Sequence, residues 1–229
     1  MLPLLFCIIF ISCATRINGT LQADGQADLN VDTSLMQEIT RTIRAFAAVP
    51  GEVPPDTPIL NGPGIGASMT SAPGVASAAF RNRSPTAIEG TIRISQIRSF
   101  LASSDTAGFI GFEQSASGGR CTINLSLASG PRILSLLSAE IHDYLEALMA
   151  PLATGEQLTR PEYLELVRSV YGRVADEIAA STINVSLEFP GQIRSVRGGT
   201  YSGRRADFSI PLLNLLVLDV PLSYEVIWN

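Results

Sequence analysis

The sequence predicts an α+β domain: an antiparallel β-sheet of about seven to eight strands, covered on one face by an N-terminal helix and a central helix hairpin. Three observations carry this reading. Stretches of strict apolar–polar alternation, the period of a half-buried strand, recur along the chain. Two central stretches keep the 3.6-residue spacing of amphipathic helices. Strands and helices also come in runs and not in βαβ alternation, which favours an antiparallel sheet. At 229 residues, with 46% hydrophobic and only 16% charged residues, the chain can bury a sizeable core and falls outside the composition of disordered proteins.

The first twelve residues, MLPLLFCIIFIS, are uncharged and nearly all apolar. They fit the hydrophobic region of an export signal and fall short of the roughly 18 apolar residues that span a bilayer. Residues 1–12 are therefore expected to be a signal peptide and 13–229 a single domain. Gly19, Leu21, Ala23, Gly25, Ala27, Leu29 and Val31 alternate with polar residues and read as one long strand. Ser34 with Gln37 forms a capping-box pattern ahead of Leu35, Ile39, Ile43, Phe46 and Ala47 at helical spacing, up to Pro50-Gly51. Residues 50–73 are so rich in Pro and Gly that they read as a long surface loop; Gly62, Gly64 and Gly66 resemble a phosphate-cradling turn only superficially, because Pro63 sits among them.

Four strands are expected near 75–82, 87–95, 108–115 and 119–128. Beyond Gly130-Pro131, Leu134, Leu137, Ile141, Leu145, Leu148 and Leu152 line one helical face. A second helix opens with Thr159 as N-cap, Pro161 in the first turn and Glu162 closing the capping box, with Tyr163, Leu164, Val167, Val170, Tyr171, Val174 and Ile178 as its apolar stripe. The short link between them predicts an antiparallel helix hairpin over 133–180. Strands follow at 183–189, more weakly at 204–210, and from 216 to 228, where Leu216, Leu218, Val220, Leu222, Tyr224, Val226 and Trp228 alternate.

Residue counts exclude much chemistry. All 16 basic residues are arginine, so Schiff-base catalysis, a Ser/Lys dyad and a P-loop are excluded. With one histidine, His142, the His-rich ligand sets of catalytic zinc sites are excluded as well. In Glu140-Ile141-His142-Asp143, helical geometry sends the polar side chains to different faces, so a hydrolase built on His142 ranks third among the readings. No metal or cofactor site is expected, and the protein is read as no enzyme. A net charge of −5 without any basic run leaves no footprint for nucleic acid. Of the three cysteines, Cys7 belongs to the signal and Cys13 opens the mature chain. Cys121, on the apolar face of an alternating strand, is expected to be a buried thiol without a disulfide partner.

Phe10-Ile11-Ser12-Cys13, where the apolar run gives way to Ala14-Thr15-Arg16, resembles the lipobox of bacterial lipoproteins in the laxer form found in spirochaetes. The resemblance implies that Cys13 becomes an acylated N-terminus, with palmitate as the class of chain. The strand GTLQADGQADLNV just after it, taken with SLEFPGQIRSVRGGTYSGRRADFSIPLLNLLVLDVPLSYEVIW, resembles the LppM-like domain of bacterial lipoproteins. That resemblance implies an exported α+β domain without known catalysis and with lipid-related roles; it covers both ends of the chain and leaves residues 50–160 without a counterpart.

The expectation is thus a lipid-anchored lipoprotein of the cell envelope, facing periplasm or exterior, with the membrane as its partner. Two function classes stay open. One is a module binding a lipid or other apolar ligand between the helix hairpin and the sheet, lined by Leu134, Ile141, Leu145 and Val170. The other is a scaffold with a filled core that presents the loop 50–73.

Overall fold

The computed structural model describes residues 14–47, 54, 56–102, 109–130, 151 and 154–229. The fold is α+β, with the strands divided between two sheets instead of one. The seven-stranded sheet runs in the order β3-β4-β2-β1-β7-β10-β9. Its strands are β1 (Ala14–Leu21), β2 (Ala27–Ser34), β3 (Val75–Ser84), β4 (Ala87–Ile94), β7 (Thr182–Glu188), β9 (Thr200–Ser202) and β10 (Arg205–Pro211). The four-stranded sheet runs β5-β6-β11-β8, from β5 (Ile110–Ser115), β6 (Gly118–Leu125), β8 (Ile193–Arg197) and β11 (Leu222–Trp228). All pairings are antiparallel except that of β1 with β7.

The stretch 19–31 is a hairpin and not one strand. Leu21 pairs with Ala27 around a turn in which Gly25 takes φ +84°, a left-handed conformation favourable to glycine. Alternation could not reveal this turn. Five residues lie between Leu21 and Ala27, so odd positions face the core on both sides of it: Ile17 and Leu21 before, Ala27 and Val31 after.

Ser34 belongs to β2 and does not cap the first helix, α1 (Gln37–Ala47). A distant carboxylate does so instead: Glu177 accepts from the backbone N–H of Glu38 at 2.8 Å and of Ile39 at 3.0 Å. An anion at a helix N-terminus satisfies orphan donors and complements the helix dipole. Within the expected loop, Gly62–Thr70 forms α2, capped by the Asn61 side chain, which accepts from the N–H of Gly64 at 3.0 Å. Its glycines permit it to lie on the backbone of the edge strand β3. A Cβ at Gly62 would stand 2.9 Å from the carbonyl carbon of Arg81, and one at Gly66 3.1 Å from the nitrogen of Phe80. Asn82 and Thr70 tie the two ends of this contact with hydrogen bonds to Gly62 and Ala78. A short helix that sequence reading missed, α3 (Ile97–Ala102), follows β4.

The first helix of the expected hairpin lies outside the described residues. The second starts at the expected place, with Thr159 and Glu162 forming the capping box, but it divides at Gly172 into α4 (Arg160–Tyr171) and α5 (Val174–Ala180). The expected final strand begins only at Leu222. Before it, Leu212–Val217 forms α6, burying Leu212, Leu215 and Leu216 at helical spacing and ending at Leu218 with φ 49°. In so continuous an apolar run, alternation does not distinguish strand from helix. Apolar residues of both sheets and of the helices form one core, in which Tyr163, Phe189, Met69 and Ile178 are among the largest fully buried side chains. The sheets meet where the ring of Phe208 stands edge-on to Tyr224, with centroids 5.7 Å apart. No helix among the described residues is long and apolar enough to cross a membrane.

Candidate functional site

At one end of the molecule the two sheets part and leave a cleft of about 660 Å³. Its rim is built from the β1–β2 turn, the start of α3 and the β5–β6 turn, and its floor from Phe112 and Trp228. Trp228 is 3% exposed. Its ring lies 5.9 Å from that of Phe112 and 4.9 Å from that of Phe189, both tilted. The indole can lie this low because Gly119, its cross-strand partner, has no side chain: a Cβ there would stand 2.3 Å from Cζ2 of Trp228.

Gln114 shares that cross-strand row through Gly119 and reaches from the small sheet to the large one. Its Nε2 donates to the carbonyls of Gln22 at 3.2 Å and Ala23 at 2.8 Å, closing the cleft wall. Its Oε1 has almost no accessible surface and no hydrogen-bond partner, a costly state that a ligand donor would relieve once the amide turns towards the cleft. Two charged groups of the rim are satisfied internally. Asp24 accepts from the backbone N–H of Gln26 at 3.0 Å and from its Nε2 at 2.7 Å, and Arg98 donates to the Gln114 carbonyl at 2.7 Å. An aromatic floor with an unpartnered amide oxygen in the wall beside it suits an apolar body with a hydroxyl or amine head.

Several titratable groups elsewhere are engaged in structure. Glu225, 8% exposed, is held between Arg120, whose Nε donates at 2.6 Å, and Arg197 at 2.9 Å. A hydrogen bond from Ser186, with the adjacent Arg205, lowers the pKa of Asp207. Cys121 sits partly buried on the inner side of β6, and burial pushes its thiol up to about 11. At neutral pH it should therefore react with iodoacetamide about a hundredfold more slowly than a thiol titrating near its ordinary 9.0, and at normal speed once denatured; rapid labelling of the folded protein would refute the placement of β6. Because the folded-state value is the higher one, the thiol's contribution to stability is intact below pH 9 and is lost as pH climbs towards 11. Among the described residues no three His, Cys, Asp or Glu side chains are grouped to hold a metal ion.

Cys13, His142, Leu134, Ile141 and Leu145 lie outside the described residues. Val170 is on the surface, 63% exposed, and does not face the sheet. The buried stripe of α4 runs through Tyr163 and Val167 and turns towards the half-buried Leu164 and Tyr171. Val170 lies about 60° round from Val167 on the opposite side, alongside the exposed Leu166. The described part of the expected helix–sheet site is packed solid by Tyr163, Val167, Val174, Ala175 and Ile178, each 2% exposed or less. Sequence reading missed Phe112, Gln114 and Trp228, which become neighbours only when the small sheet forms. The usable signal was Gly118-Gly119 opposite a lone Trp.

No protein-family model and no curated protein sequence matches the chain. Among solved structures, the NMR structure of the folded domain of the Mycobacterium tuberculosis LppM protein is similar to it over 94% of this chain and 88% of that one, with a TM-score of 0.45 and 10% sequence identity.

Proposed function

We propose that this chain is an exported, lipid-anchored protein of a bacterial cell envelope that binds an amphipathic ligand, without catalysis, in the cleft between its two sheets. The observation that carries the reading is the aromatic floor of Phe112 and Trp228 in a cleft whose wall includes Gln114, with its unpartnered Oε1. The ligand class is an acyl or similarly apolar body whose head donates a hydrogen bond. The anchor reading rests on the apolar leader that ends at Cys13. Since β1 runs from Ala14 towards the β1–β2 turn, the cleft lies about 23 Å along the strand from the anchored end. A ligand would therefore arrive from the compartment side.

Native mass spectrometry and thermal unfolding of the full chain test the binding reading. A co-purifying apolar molecule, or stabilisation of about 2.7 kcal/mol by a lipid at a hundred times its Kd, is expected. A bare mass with no stabilisation by any lipid of the source membrane would leave the scaffold reading, which the solidly packed core around Tyr163 favours. For the anchor, Cys13→Ser should abolish acylation and move the protein into the aqueous phase of a detergent extraction; fatty acid still found on the variant would refute Cys13 as the site.

A further inference from the structure

Among the described residues, the outer face of the seven-stranded sheet is polar and uncovered, and its arginines are almost all matched with carboxylates. Arg81 pairs with Glu89, Arg83 with Asp32, Arg93 with Asp28, Arg204 with Glu188 and Arg205 with Asp207. Arg16 is the exception: no carboxylate of the described residues lies within ion-pair distance of it. Its cross-strand neighbour on β2 is an acid, Asp32, but both oxygens of that carboxylate are taken by Arg83, at 2.8 and 3.1 Å.

On its other side Arg16 meets only neutral groups, Asn184 of β7 and beyond it Ser209 of β10, both exposed and on the same face. The three line one shallow depression of about 670 Å³. The carboxylate that shares the depression, Asp207, is occupied by Arg205 at 2.9 Å. Arg16 thus presents a guanidinium unpaired among the described residues, with an amide and a hydroxyl beside it, to whatever lies over that end of the sheet. A planar guanidinium matches phosphate oxygens two at a time, and neutral donors complete such a site.

Position in the chain says what lies there. Arg16 stands three residues after Cys13, a span of at most about 10 Å, so acylation of Cys13 holds it at headgroup depth. We propose that Arg16, with Asn184 and Ser209, binds the phosphate of an anionic lipid headgroup in the membrane to which Cys13 ties the chain; this rests on the lipid-anchored reading. The contact orients the domain with the Arg16 end of the sheet on the membrane and the cleft pointing away from it.

The test uses the full acylated chain in vesicles of phosphatidylcholine alone or of equal parts phosphatidylcholine and phosphatidylglycerol. Flotation shows whether the chain is anchored, and mass spectrometry after phenylglyoxal treatment reads the modification of each arginine. Arg194 on β8, which also lacks an ion pair among the described residues, serves as the internal control. The proposal expects the chain to float with both vesicles and Arg16 to react about fivefold more slowly when the anionic lipid is present, with Arg194 unchanged. It expects inorganic phosphate at the same concentration, added to phosphatidylcholine vesicles, to give no such protection. Equal modification of Arg16 in both vesicles by a floating chain would overturn the headgroup site alone. Protection by inorganic phosphate would overturn the assignment to lipid, and a chain that floats with neither vesicle would overturn the anchor and the site with it.

Discussion

Phe189→Ala is expected to lower stability by about 3–5 kcal/mol, the range for removing a fully buried aromatic ring. Phe189 is 0% exposed and follows directly on β7, in the large sheet, while its ring packs against Trp228 of the small one. Its backbone is fixed independently, by an N–H donated to the Arg204 carbonyl at 2.8 Å. Truncation should therefore leave a cavity between the sheets instead of a displaced chain. Urea unfolding followed at Trp228 checks both consequences, because the indole loses its neighbour as the midpoint falls. A loss below about 0.5 kcal/mol, the size of an ordinary surface change, would mean that this ring does not join the two sheets.

Gly119→Ala is the second large effect, expected at about 2–3 kcal/mol from overpacking. The added Cβ would stand 2.3 Å from the Trp228 ring and 2.6 Å from the Glu113 carbonyl oxygen. Neither is the free end of a flexible side chain. Either the indole lifts out of the cleft floor or β5 separates from β6, and both would lower Tm by several degrees in a chain of this size. Wild-type melting with an unchanged Trp228 spectrum would show that the indole does not lie across Gly119.

These two positions also show where sequence reading stops. Strand periodicity and cap chemistry are local, so β4, β6, β7 and the Thr159 capping box were legible from a few residues each. Gly62 and Gly66 were not, because their meaning depends on the backbone of β3, which approaches them only after folding. The same holds for α1, whose start is capped by Glu177 from 139 residues away. At the β1–β2 turn the pattern itself misled, since a five-residue loop preserves the odd–even register. The cleft was invisible for the strongest form of this reason: Gln114 contacts Gln22 and Ala23 across more than 90 positions. Trp228 reads as one more apolar residue until Gly119 is placed beneath it.

Trp228 is the chain's only tryptophan and forms the floor of the cleft, so its fluorescence reports on that site alone. The most direct test titrates the full chain with fatty alcohols carrying bromine on the alkyl chain, a quencher that acts only at short range. Saturable quenching of Trp228 by the brominated alcohol is expected, weakened in Gln114→Leu where the acceptor for the hydroxyl is lost. Unquenched Trp228 emission across the whole range in which the alcohol stays monomeric would contradict it.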